Sequence, residues 1–82
     1  MIIEVKVFAV AKQLVGAEVV KIELPSQSTV GQLRQALADQ YPELGETLRH
    51  VVFAVNQEYA SNETAIPLHA EVACIPPVSG GT

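Results

Sequence analysis

The chemistry in this chain is concentrated at its far end, in Ile75-Pro76-Pro77-Val78-Ser79-Gly80-Gly81-Thr82. The Pro76-Pro77 pair has no N–H to donate, ends any ladder pairing and favours an extended, stiff backbone that leads away from a globule. Val78 offers one apolar anchor. Ser79, Gly80 and Gly81 then lose nearly all side-chain bulk, and a backbone without Cβ atoms can enter a channel too narrow for other residues. That is the shape required to deliver a terminal carboxylate into the active site of another protein. A diglycine alone is a weak signal, because chain ends are commonly disordered. A stiff pair, an anchor and a diglycine in succession is a stronger one.

Other reactive side chains are sparse. Cys74 alternates with Val72 on the face expected to point inward, where a cysteine behaves as a small hydrophobe with a raised pKa. A single cysteine excludes an internal disulfide and any paired-cysteine metal site. His50 and His69 lack ligand partners at useful spacing, so no metal site is expected. Glu43 and Glu46 read as a solvated loop. Lys12, Lys21, Arg34 and Arg49 are scattered, and no glycine-rich phosphate loop exists, so the chain is not expected to bind ATP itself.

The elements that must carry this tail fit in 82 residues, hence one domain. Hydrophobic residues make up 49% and charged ones 17%, which excludes a disordered linker. The net charge of −4 argues against nucleic acid or an anionic membrane as partner. No targeting segment or long apolar run is visible, and a soluble cytoplasmic protein is expected. Residues 1–10 alternate as a strand, with Ile3, Val5, Val7 and Ala9 on one face and Ile2, Glu4, Lys6 and Phe8 on the other. Ala11–Gly16 reads as one loose helical turn. Val19–Leu24 alternates again and should pair with the first strand as a hairpin.

Thr29 and Gln32 form a capping box before the one strong helical pattern, Val30, Leu33, Leu37 and Tyr41. Pro42 ends it, and residues 43–50 are expected as an irregular crossover. Val51–Val55 is β-rich but apolar on both faces, so its inward parity stays open. Asn56-Gln57 suits a tight turn, Glu58–Ala60 a short return strand, and Glu71–Ile75 the last strand. The sum is a two-layer α+β domain: a mixed sheet of four or five strands packed on one main helix. Its uncovered face should be polar, yet Phe8 and Ile75 break that pattern. They sit at the same end if first and last strands are parallel neighbours, which points to a partner surface.

The runs Val55-Asn56-Gln57-Glu58-Tyr59, Glu71-Val72-Ala73 and Ile75-Pro76-Pro77-Val78-Ser79-Gly80-Gly81 resemble the MoaD/ThiS family of sulfur carriers. Val7-Phe8-Ala9 with Gly16, and Leu24-Pro25, fit as well. The resemblance implies a ubiquitin-like β-grasp body over residues 1–76 and an extended, flexible tail over 77–82. It implies no resident cofactor and no independent catalytic activity, but a non-catalytic role in molybdopterin synthase. An E1-like partner of the MoeB type would use ATP to adenylate the Gly81 carboxylate, and sulfur would displace AMP to leave a Gly81 thiocarboxylate. Gly80 would pass through the same channel. A MoaE-type large subunit, in a heterotetramer, would take that sulfur into cyclic pyranopterin monophosphate to build the dithiolene of molybdopterin. Phe8, Ile75, Pro76, Pro77, Val78 and Ser79 would contact the partner.

The same tail chemistry could serve thiazole synthesis, tRNA thiolation or cysteine synthesis, although Ile-Pro-Pro-Val-Ser-Gly-Gly favours the molybdopterin branch. A ubiquitin-like modifier forming isopeptide bonds, or an adaptor that never uses its tail, are further readings. Two departures stand out. His69-Ala70 replaces the Asp-Gly common before the last strand, which should alter turn geometry and not chemistry. Thr82 follows Gly81, and while attached it leaves Gly81 with no free carboxylate, so its removal is expected.

Overall fold

The computed structural model describes residues 1–76. In chain order the elements are β1 (Ile2–Val7), α1 (Ala9–Val15), β2 (Val19–Glu23), α2 (Val30–Gln40), a 3-10 helix (Pro42–Leu44), α3 (Gly45–Leu48), β3 (Val52–Val55), β4 (Glu58–Ala60) and β5 (Val72–Ile75). The five strands form one mixed sheet in the order β2-β1-β5-β3-β4. The expected α+β architecture of one main helix on a mixed sheet is what forms, and the strand carrying the tail lies at its centre.

Alternation decides the faces. Ile3, Val5 and Val7 of β1, Val20 and Ile22 of β2, and Val72 and Cys74 of β5 are buried in one cluster with Val30, Leu33 and Leu37 of α2. β1 pairs antiparallel with β2 from Ile2↔Glu23 to Lys6↔Val19. The link between them is no simple turn, because it contains α1. That helix corrects the expectation of one loose turn: it has seven residues and starts at Ala9. Ala9 therefore leaves the strand, takes φ 53 and is exposed, not inward-facing. Gly16 closes α1 in the left-handed region at φ 75, its N–H donating to Lys12 O at 2.8 Å.

α2 begins as its sequence dictates. The Thr29 side chain accepts from Gln32 N at 3.2 Å, and Gln32 Oε1 accepts from Thr29 N at 2.8 Å. Tyr41 leaves the helix at φ −125, ψ 78, just before Pro42. The following crossover is helical, contrary to expectation. Pro42 opens the 3-10 helix, where a missing N–H loses nothing. Leu44 and Leu48, four residues apart, then bury on the core. Arg34 ties these pieces together. Its Nη1 donates to the carbonyls of Leu48 and of Val51, the latter at 2.9 Å, while its guanidinium lies 5.0 Å from the Phe53 ring centroid.

β3 resolves its parity through Val51, Phe53 and Val55, which are buried, leaving Val52 outward. Phe53, the largest fully buried side chain, takes the core position. β3 and β4 meet through the two-residue turn Asn56-Gln57, with φ 52 and 70, the pattern of a type I′ hairpin. Asn56 tolerates this conformation; a β-carbon at Gln57 makes it strained. Gln57→Gly should raise stability by about 0.5–1 kcal/mol, seen as a thermal midpoint a few degrees higher in calorimetry. His69 has φ 64, and Ala70 N donates to Pro67 O at 3.2 Å, so a histidine holds a conformation that glycine adopts without strain.

Candidate functional site

β5 runs parallel to β1 in the register Val5↔Val72, Lys6↔Ala73, Val7↔Cys74. One step further along each strand, Phe8 and Ile75 fall at the same end of the sheet, on the face the helices leave open. β3 adds a third residue there, because Val52 pairs with Ile75. Phe8, Ile75 and Val52 thus form an apolar row across the end of the sheet from which the chain departs through Pro76. Phe8 is 46% exposed and Val52 40%, while Ile75 between them is half-buried. Sequence reading missed Val52 because either parity of an all-apolar strand was equally acceptable. The size of Phe53 was the signal that could have settled it.

The neighbouring row runs Lys6, Ala73, Ala54 and Tyr59, each paired with the next, and Tyr59 is 78% exposed. Two alanines keep the surface flat, so the apolar row is not shadowed. Charge begins in this row, at Lys6. Lys6 Nζ donates to Glu71 Oε2 at 2.9 Å. That hydrogen bond, with the attraction behind it, raises the Lys6 pKa and lowers that of Glu71. Glu71 is also clasped to the β3–β4 turn: Asn56 N donates to its carbonyl at 2.7 Å, and its own N–H donates to Asn56 Oδ1 at 2.9 Å. Both ends of β5 are therefore pinned, one by this clasp and one by pairing to β1 and β3. The open face is apolar in the row beside Pro76 and carries charge from the next row onward.

Of the residues expected at the site, Phe8, Ile75 and Pro76 are brought together at one end of the sheet. Pro77, Val78, Ser79, Gly80 and Gly81, like Thr82, lie outside the described residues. Cys74 points the other way, into the core, with no exposed surface. Burial pushes its thiol from an ordinary 9.0 up to about 11, against a smaller lowering by the Arg34 guanidinium. From about pH 9 the unfolded chain releases this proton while the folded chain keeps it, so stability falls by about 1.4 kcal/mol per pH unit until pH 11. Cys74→Ala should flatten that alkaline limb of a denaturation series by about 2–3 kcal/mol in total, and the native thiol should resist a disulfide reagent at pH 8. Among the described residues no three His, Cys, Asp or Glu side chains are grouped to hold a metal. His50 instead meets Glu46 at 3.4 Å. No helix among them is long and apolar enough to cross a membrane.

The chain was compared with known proteins. The profile of the ThiS family matches residues 5–81, which runs through the diglycine and stops before Thr82. The chain is 40% identical over 81 residues to the molybdopterin synthase sulfur carrier subunit of Dictyostelium discoideum, a match covering 95% of this chain and 94% of that one. It is 33% identical over 86 residues to the small archaeal modifier protein 1 of Haloferax volcanii, covering 95% and 99%. A crystal structure of that modifier superposes with a TM-score of 0.82 at 28% identity, over 94% of this chain and 98% of the other.

Proposed function

The chain belongs to the ThiS family, and from that premise we propose that it is the sulfur carrier subunit of a molybdopterin synthase. One observation carries the reading. A tail of Pro-Pro-Val-Ser-Gly-Gly follows the central strand of the sheet at the end where an exposed apolar row is already in place. A partner seated on Phe8, Ile75 and Val52 receives the tail directly. The body's part is to fix where the tail begins, and the tail's part is to supply the reacting atom.

The chemistry proceeds at Gly81. A carboxylate is a poor electrophile. An E1-like activating partner binds ATP, and a Gly81 oxygen attacks the α-phosphorus, releasing pyrophosphate and leaving an acyl-adenylate. Sulfide then attacks the acyl carbon, the bond to the phosphate oxygen breaks with AMP as leaving group, and the product is a Gly81 thiocarboxylate. In the larger synthase subunit this sulfur passes to cyclic pyranopterin monophosphate, whose dithiolene needs two such deliveries. That subunit supplies the acid–base groups and the substrate pocket. The name of the Dictyostelium relative, a subunit of a synthase, supports a two-protein enzyme.

The Haloferax relative favours a second reading, a modifier joined to other proteins by an isopeptide bond. Both readings share the adenylate and differ in the nucleophile that follows. Reconstitution decides between them. The Gly81-terminated thiocarboxylate, mixed with a large synthase subunit and the pterin precursor, should yield molybdopterin, read by fluorescence of its oxidised form. Absence of product together with conjugates on lysines in cell extract would replace the carrier with the modifier.

A further inference from the structure

A groove of about 260 Å³ runs between α2 and α3, in the helical layer and therefore on the opposite side from the open sheet face. Gly31, Arg34, Gln35, Ala38, Gly45 and Arg49 line it. The chain has two arginines, and both are here; its three lysines, Lys6, Lys12 and Lys21, lie on or beside β1 and β2. On a body of net charge −4 this is a local concentration of planar, bidentate donors. Arg34 is held rigid, its Nη1 on the Leu48 and Val51 carbonyls and its Nε on Asn62 Oδ1 at 3.2 Å. Its Nη2 makes no hydrogen bond among the described residues. Among the described residues the Arg49 side chain pairs with Glu46 alone, at 3.7 Å with both side chains about three-quarters exposed, a contact that water screens and an incoming carboxylate can replace.

Gly45 is the second observation. It sits at an ordinary helical φ of −50, so no unusual backbone conformation requires glycine. A Cβ there would meet nothing within 4 Å, so no packing requires it either. Glycine inside helical backbone is a standing loss of stability relative to alanine. Gly45 is one of the residues that line the groove, and the missing side chain leaves its wall there as bare backbone. Gly45 stands at the junction of the 3-10 helix and α3, where the structure gives no packing reason for glycine.

We infer that the α2–α3 groove binds an acidic peptide segment of a partner protein, a glutamate or aspartate carboxylate sitting between Arg34 Nη2 and Arg49 while the peptide backbone lies over Gly45. The groove lies in the helical layer, on the opposite side from the row of Phe8, Ile75 and Val52, so both surfaces can be occupied together. It is independent of the function proposed above.

The test is a titration of the isotope-labelled chain with a short glutamate-rich peptide, followed by amide chemical shifts, with the glutamine-for-glutamate peptide as control. The inference expects shifts at Gly31, Gln35, Gly45 and Arg49 with the first peptide only. Gly45→Leu and Arg49→Ala should each weaken binding about tenfold or more, and Glu46→Gln should tighten it by removing the competing carboxylate. Gly45→Leu has room for its side chain and should keep the spectrum of a folded protein and unchanged formation of the thiocarboxylate. Shifts that are absent, that persist in Gly45→Leu, or that free glutarate reproduces at the same concentration would overturn the assignment to an acidic peptide.

Discussion

A chain that ends at Gly81, mixed with its activating enzyme, ATP and a sulfide source, will gain the mass of one sulfur in exchange for one oxygen. The same chain carrying Thr82 will not change. The reason is the electronic state of one carbonyl. In the longer chain the Gly81 carbonyl carbon is part of an amide: it carries no oxygen able to attack phosphorus, and its nitrogen is a poor leaving group. The carboxylate then belongs to Thr82, whose branched Cβ is what the preceding diglycine is built to avoid. The family match supports this division, because it ends at residue 81. Hydrolysis of the Gly81–Thr82 bond, with water adding to the carbonyl and threonine leaving as the free amino acid, would convert the inert chain to the active one. A third form lacking Gly80 to Thr82 should lose sulfur transfer entirely. It should keep its thermal midpoint within about 1–2 °C, since Cys74 is the last buried core residue among the described residues. Intact mass spectrometry reads all three forms in one experiment, and a thiocarboxylate found on Thr82 would refute the account.

Much of this fold could be read from residues whose two possible environments differ sharply. Ile3, Val5 and Val7 alternate with Glu4 and Lys6, so only one face of β1 could be buried, and that face is. Thr29 and Gln32 have few roles other than a capping box. Where the alternatives differ little, the reading stopped. β3 is apolar on both faces, and its parity depended on whether Phe53 or Val52 better filled the space above α2. That is a question of volume, and the larger ring took the core position. Residues 9–15 lack a long apolar stripe, and α1 forms because a single buried residue, Ala11, and the Gly16 cap suffice between two paired strands. The apolar pair Leu44 and Leu48 was hidden behind Pro42, which ends one helix and also begins the next. The site followed the same logic. Phe8 and Ile75 stood out as misfits on a face that should be wet, whereas Val52 was a misfit only once its neighbour had been placed. Arg34 gave no signal, because its partners are backbone carbonyls that any residue supplies.

Phe8→Asp should weaken association with the synthase partner about a hundredfold and leave the body as stable as before, or more so. Phe8 occupies the N-cap of α1 with extended dihedrals, φ −133 and ψ 160, yet its side chain makes no capping hydrogen bond. Aspartate at such a position accepts from the exposed N–H groups of the first turn and favours the helix by about 1 kcal/mol over a residue that cannot cap. For the isolated domain, then, phenylalanine is the worse choice twice over: it forgoes a cap, and it leaves nearly half of a large apolar side chain in water. Both losses are recovered if the ring is buried against a second protein, where an aromatic anchor can contribute about 2–4 kcal/mol, and about 2.7 kcal/mol is the hundredfold predicted. Val52→Asp should act in the same direction with a smaller effect, since it removes less area from the same row. Calorimetric association measured beside thermal unfolding separates the two consequences. Were Phe8→Asp to stay folded and bind the partner unchanged, the apolar row would be only an exposed surface, and the tail would have to find its acceptor with no help from the sheet.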